Sequence, residues 1–160
     1  MRYHLGLGSN VGDRGKNLKK ALTCMSESGF RIAKTSSLYE TEPVGMPGAV
    51  WFYNRVVEVE TDLEPEEVLR WIKKTERDLG RIGKGRLKPR IIDIDILLAE
   101  ARVIQTEALV IPHPQLAERK FVLVPLSEIA PYALHPVFHL NINNLLENSP
   151  DNSRVDLIQI

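Results

Sequence analysis

Residues 90–98, RIIDIDILL, set two aspartates one residue apart inside a run that is otherwise wholly aliphatic behind its leading arginine. Successive side chains of a strand point to opposite faces, so Ile92, Ile94, Ile96 and Leu98 share one side and Ile91, Asp93, Asp95 and Leu97 the other. Both carboxylates then emerge on the same side, roughly 6.6 Å apart along the backbone at about 3.3 Å per residue. An isolated D-x-D pair is as compatible with the wet face of an edge strand as with ion binding. Ile91 and Leu97 on the same side argue against a simply wet face, and two desolvated anions need a neutralising cation. Hard carboxylate oxygens suit Mg²⁺, which keeps its other positions for water and phosphates, and such a pair can hold two ions about 3.5–4 Å apart. On this reading Asp93 and Asp95 meet their counter-charge only when a metal ion arrives.

The segment leading into this strand carries five cations (Arg81, Lys84, Arg86, Lys88, Arg90) and no acid. Such a loop can be merely solvated. Running straight into a dicarboxylate strand, it also matches a polyphosphate held by arginines on one side and by metal on the other. Upstream, Glu58 to Glu67 carries six acids, so two opposite patches are concealed by equal totals of 21 basic and 21 acidic residues. Neither nucleic acid nor an anionic membrane is therefore an expected partner. With 43% hydrophobic and 26% charged residues over 160 positions, one globular domain spanning 1–160 is expected. Cys24 is the sole cysteine, which excludes an internal disulfide and suggests a reducing compartment. The N-terminus turns polar too soon for a signal peptide, and no apolar run approaches the roughly 20 residues of a membrane helix. A soluble, cytoplasmic protein is expected.

Tyr3 to Leu7 reads as a strand entering a glycine-rich turn. Asp13 caps a helix with the stripe Leu18, Ala21, Leu22 and Met25, ended by Gly29. Phe30 to Tyr39 reads as a second strand and Phe52 to Thr61 as a third. Pro65, with Glu66 and Glu67, opens a helix that Gly80 stops. The order strand, helix, strand, strand, helix, strand predicts an α+β ferredoxin-like sandwich, an antiparallel sheet with helices packed on it. A C-terminal extension follows: a Pro-rich segment from Pro112 to Pro131, a helix near Ile142 to Glu147 and a weakly patterned tail.

Other positions stand out less. The glycines of GLGSNVG, residues 6–12, fall at the wrong spacing for a dinucleotide loop, which favours an ordinary strand-to-helix turn over a nucleotide-binding one. Glu76 lies on the apolar stripe Leu69, Ile72 and Leu79 of the second helix, either snorkelling to water or turned into a cleft as an acceptor. His113, between two prolines, has no partner at metal-ligand spacing, and a phosphate or base contact suits it better. Phe52, Asn54 and Phe121 are compatible with ordinary packing or with a flat, hydrogen-bonding heterocycle.

Six ordered blocks, LGSNVGD (7–13), SSLYETEPVG (36–45), FYN (52–54), GR (80–81), PRIIDIDILL (89–98) and PHPQLAERKFVLVPLSEIAP (112–131), closely resemble the hydroxymethyl-dihydropterin pyrophosphokinase family of folate biosynthesis. The resemblance implies transfer of the ATP pyrophosphoryl group to the hydroxymethyl oxygen of a reduced pterin, with release of AMP. It also implies a ferredoxin-like fold, two Mg²⁺ ions and a monomer. By block, it puts Asp93 and Asp95 on the metals and Arg81 and Arg90 on the phosphates as catalytic arginines. Glu76, Lys84, Arg86, Ile96, His113 and Arg119 fall at its ATP site, and Thr41, Pro43, Val44, Phe52, Asn54 and Phe121 at its pterin pocket. The glycine-rich turn, Glu42 to Trp51 and Arg81 to Lys88 are expected to close over the substrates. The chain departs from the family at Leu87 and Lys88, where a tryptophan and a glycine are usual, which predicts a less well-sealed lid. A phosphotransferase for another heterocycle and a ligand-sensing or RNA-binding module are the competing readings. Zero net charge and 6% aromatic residues disfavour RNA.

Overall fold

Alternation along Arg2–Ser9 buries Tyr3, Leu5 and Leu7 completely, which makes this strand the spine of the sheet. The computed structural model describes residues 1–80 and 90–158. Arg81, Lys84, Arg86, Leu87 and Lys88 lie outside the described residues. The described chain runs β1 (Arg2–Ser9), α1 (Arg14–Glu27), β2 (Arg31–Thr35), β3 (Tyr39–Thr41), β4 (Phe52–Glu60), α2 (Pro65–Asp78), β5 (Asp93–Ala99), β6 (Ile104–Gln105), β7 (Val110–Ile111), α3 (Lys120–Ile129), α4 (Ile142–Glu147) and β8 (Val155–Leu157).

β1 pairs antiparallel with β4, from Arg2↔Glu60 to Ser9↔Tyr53, and with β5, from Tyr3↔Ala99 to Gly8↔Asp93. The sheet order is β5-β1-β4-β3-β8, with β2 on the other half of β4, so β5 lies at one edge. One face meets α1 and α2: Leu5, Leu7, Val57, Val59, Ile94 and Ile96 pack with Leu18, Ala21, Met25, Val68 and Ile72. On the other, Val56, Leu97 and Leu98 pack with Val122, Leu123, Leu126, Ile142 and Leu145 of α3 and α4. This is the expected α+β arrangement. Among the described residues, no helix is long and apolar enough to cross a membrane.

The helix boundaries follow local chemistry. Asp13 Oδ1 accepts from the Lys16 N–H at 3.1 Å, and Gly29 takes φ +89° beyond the end of α1. At α2, Glu67 Oε2 reaches back to accept the Glu64 N–H at 2.7 Å.

Three elements differ from the sequence expectation. The strand expected over Phe30 to Tyr39 divides into β2 and β3, because the Ser36 hydroxyl accepts the Val56 N–H at 2.9 Å where a ladder carbonyl would otherwise sit. The register of β1 against β5 shifts at His4/Leu5, so strict alternation stops after Leu97. Leu98 consequently joins Leu97 in the α3 cluster, and only Ile92, Ile94 and Ile96 stay together in the other. Finally, the Pro-rich segment contains α3 despite Pro125 inside it. Burial of Val122, Leu123 and Leu126, at about 1.5–3 kcal/mol each, outweighs the roughly 3 kcal/mol penalty of an interior proline.

Candidate active site

The C-terminal end of β1, the start of β5 and the start of β4 meet at one cleft of about 600 Å³. α2 contributes Leu69, Ile72, Lys73 and Glu76 to its lining, and α3 contributes Phe121 and Val122. Arg90, Asp93, Asp95, Glu76, His113 and Arg119 all line this cleft, as do Thr41, Pro43, Val44, Phe52, Asn54 and Phe121. Of the described candidates, Ile96 stands apart: its side chain is 6% exposed within the core under α1 and α2, which leaves its main chain as the part able to meet a ligand.

The two aspartates are not equivalent. Asp93 Oδ2 accepts from Arg90 Nη1 at 2.8 Å, so this carboxylate has a protein counter-charge already, contrary to the expectation that both wait for one. The carboxyl of Asp95 is held well above the usual carboxylate range, by burial first and then by the charge on Asp93, with Glu76 adding to the effect and Arg119 and Arg90 opposing it. Glu76 is buried and does not snorkel: its Oε2 accepts the Ile94 N–H at 3.0 Å. α2 thereby pins the main chain between the aspartates. Arg90 is fixed through its backbone by Asn10, whose N–H donates to Arg90 O at 2.9 Å and whose Oδ1 accepts the Arg90 N–H at 2.6 Å.

His113 is held as firmly. Its N–H donates to Leu97 O on β5 at 3.0 Å, and its Nδ1 accepts from the Gln115 N–H at 3.1 Å, which assigns the proton of the neutral ring to Nε2. Arg119 donates through Nη2 to Gln115 Oε1 and lies 5.4 Å from the centre of the Phe121 ring.

On β3 and β4, across β1 from the aspartates, Asn54 Nδ2 donates to Thr41 Oγ1 at 2.5 Å; both residues are buried, and Phe52 and Phe121 line the same cleft. Gly8 is required here: a Cβ at this position would stand 2.6 Å from Asn54 Oδ1 and 3.5 Å from Phe52 Cδ1. Gly8→Ala must therefore rotate the Asn54 amide off Thr41. We expect the affinity for the ligand on this side to fall by about tenfold, with stability lowered by only about 1–2 kcal/mol, as for one lost hydrogen bond. Titration calorimetry beside a thermal melt checks this, and unchanged affinity would show that Asn54 does not contact the ligand.

Sequence reasoning overlooked Lys73 and Gln115, which also line the cleft. Lys73 was legible in principle, one turn before Glu76 on the same helix face. Gln115 was not, since its position depends on the fold of the segment around His113. Those residues that could hold a metal are the two aspartates. Among the described residues no group of three or more His, Cys, Asp or Glu side chains forms a metal cage. Two hard carboxylates, one of them destabilised as an anion, fit an ion that completes its shell from water and phosphate oxygens.

One cleft of an antiparallel α+β domain thus brings together a carboxylate pair on β5 and a hydrogen-bonded Thr41–Asn54 pair with two aromatic rings in the same lining. The chain belongs to the 7,8-dihydro-6-hydroxymethylpterin-pyrophosphokinase (HPPK) family, whose model matches residues 4–131. It is 42% identical over 150 residues to the 2-amino-4-hydroxy-6-hydroxymethyldihydropteridine pyrophosphokinase of Aquifex aeolicus, covering 94% of this chain and 91% of that protein. It is 40% identical over 152 residues to the folic acid synthesis protein FOL1 of Dictyostelium discoideum, covering 95% of this chain but only 23% of the relative. The HPPK-DHPS crystal structure of Plasmodium falciparum with pteroate has the same fold, with a TM-score of 0.75 at 18% identity over 91% of this chain and 44% of that one.

Proposed function

We propose that this chain transfers the pyrophosphoryl group of ATP to the hydroxymethyl oxygen of 6-hydroxymethyl-7,8-dihydropterin, releasing AMP, in folate biosynthesis. The observation that carries this reading is the make-up of one cleft, which joins Asp93 and Asp95 with Arg90 and Arg119 to the hydrogen-bonded Thr41–Asn54 pair across β1 and to Phe52 and Phe121. Family membership and the names of the curated relatives support it.

In the reaction the pterin hydroxyl oxygen bonds to the β-phosphorus while the bond from that phosphorus to the AMP oxygen breaks, so in-line positioning carries most of the catalysis. Asn54 and Thr41 present amide and hydroxyl groups to the pterin edge, with Pro43, Val44, Phe52 and Phe121 against its faces. Arg90, and Arg81 with it by family resemblance, stabilise charge that builds on the transferred group. Glu76, His113, Arg119 and the main chain at Ile96 form the ATP side, joined by Lys84 and Arg86 from the basic segment. Asp93 and Asp95 would hold Mg²⁺, two ions by family resemblance, which when bound would supply positive charge to neutralise the phosphates. A cytoplasmic monomer with a single catalytic domain is part of the same reading.

Incubating the chain with Mg·ATP and reduced hydroxymethylpterin, then following products by mass spectrometry, tests it directly. AMP and pterin diphosphate in equal amounts are expected. ADP as the nucleotide product, or ATP breakdown independent of pterin, would overturn it.

A further inference from the structure

Residues 149–158 lie beyond the stretch that the family model matches and read as an unremarkable tail in the sequence. In the fold they touch two parts of the heterocycle side of the cleft. The first contact is at α3, whose N-cap residue, Arg119, makes no side-chain capping bond of its own. Asp151 supplies it from the tail: Oδ2 accepts the Lys120 N–H at 2.9 Å, while Oδ1 accepts the Ser153 N–H at 2.9 Å. Burial opposes ionisation of Asp151, yet the hydrogen bonds from Ser153 and Lys120 hold its carboxyl below the ordinary value. The residues on either side of Lys120 are Arg119 and Phe121, both in the cleft lining.

The second contact is at the loop after β3. Arg154 O accepts the Glu42 N–H at 3.0 Å, and Glu42 Oε1 accepts the Arg154 N–H at 3.4 Å. The Arg154 guanidinium also sits 5.3 Å from the centre of the Trp51 ring. Glu42 and Trp51 are the two ends of the loop that carries Pro43 and Val44. Beyond Arg154 the tail becomes β8 and pairs with β3, Thr41↔Val155 to Tyr39↔Leu157. One short segment therefore fastens the helix that bears Phe121, the strand that bears Thr41 and both ends of the intervening loop.

We propose that this tail is a strap that sets the width of the pterin slot, with Asp151 and Arg154 as positioning residues. The inference rests on the pterin reading of that slot. Covering the β3 edge for stability alone would produce the same pairing of β8, but it needs neither the cap on α3 nor the bracket around the loop.

The two residues make separable predictions, read on the full chain as dissociation constants for 6-hydroxymethylpterin by its fluorescence and for a non-hydrolysable ATP analogue with Mg²⁺ by calorimetry. Arg154→Ala keeps the main-chain bonds to Glu42 and removes the guanidinium from Trp51, so pterin binding weakens about two- to fivefold while nucleotide binding is unchanged. Asp151→Ala frays the start of α3 and displaces both Arg119 and Phe121, so both ligands weaken, each by about three- to tenfold, the range of a lost cap. Asp151→Asn, which keeps an acceptor for Lys120, restores both to within about threefold of the parent. Variants that melt earlier yet bind both ligands as the parent does would overturn the strap, as would equal losses of both ligands in Arg154→Ala. Failure of the parent chain itself to bind the pterin would overturn the proposed function and the strap with it, whereas tight parental binding with unaffected variants would overturn the strap alone.

Discussion

Asp95→Asn will lower turnover by about 10³-fold or more, equivalent to about 4 kcal/mol of transition-state stabilisation, and will at the same time raise the melting temperature of the ion-free protein at mildly alkaline pH. The two effects share one cause. The Asp95 carboxyl is raised in the folded state by burial and by Asp93, so the fold prefers it protonated. For an acid shifted upward, the associated stability is complete below the unfolded value of 3.8 and is lost as pH rises through the raised folded value. Above that value the parent protein carries an ionised group that the fold disfavours, and the neutral amide of Asn removes this cost. Mg²⁺ held as proposed by Asp93 and Asp95 would relieve the same strain in the parent, so adding it should raise the parent's melting temperature and leave that of the variant almost unchanged. Thermal melts with and without Mg²⁺, alongside the AMP assay, check both halves. A near-parental rate would show that the carboxylate is not part of catalysis, and a lower melting temperature for the ion-free variant would show that Asp95 is not strained.

Arg90→Ala should lower kcat by about 10²–10³-fold, the cost of removing one pre-positioned group that stabilises developing charge. The guanidinium is set by its ion pair to Asp93 and by the reciprocal hydrogen bonds with Asn10, so it needs little rearrangement to meet a phosphate. Arg90→Lys should recover only part of the loss, because an ammonium lacks the planar fork. Two further readouts separate this role from a structural one. The pterin dissociation constant should be unchanged, since Thr41 and Asn54 stand on β3 and β4, across β1 from the β5 side that holds Arg90. Affinity for Mg²⁺ should stay equal or tighten, since a competing cation has left Asp93. A slow variant with weakened Mg²⁺ binding would mean that Arg90 organises the metal site instead.

Much of the fold was legible because its signals are local. Asp13, Gly29, Pro65 and Gly80 mark helix ends through short-range chemistry, and the alternation of Val57 and Val59 with Glu58 and Glu60 marks β4 as a strand, although Val56 and Glu58 on its other face are buried too. Glu76 was legible as an anomaly, an acid on an apolar stripe, although its partner was not: a hydrogen bond to the Ile94 main chain spans 18 residues of sequence and leaves no trace in either segment. The same limit hid the β1–β5 register shift that turns Leu98 around, because a bulge is a property of a pair of strands. β8 is three residues long, too short for its Val-Asp-Leu alternation to stand out, so only its pairing with β3 makes it a strand. For the site, residue types and order gave the membership of the cleft, while the inequality of the aspartates required the position of Arg90.

The bond from His113 to β5 has a bearing on how this protein behaves in bulk. β5 stands at the edge of the sheet, and open strand edges invite pairing between molecules. By donating to Leu97 O, the His113 N–H occupies part of that edge with the very segment that brings the imidazole to the cleft. One stretch of chain thus both lines the cleft and guards the sheet edge against self-association. Lesions that dislodge it should produce aggregates as well as inactive enzyme.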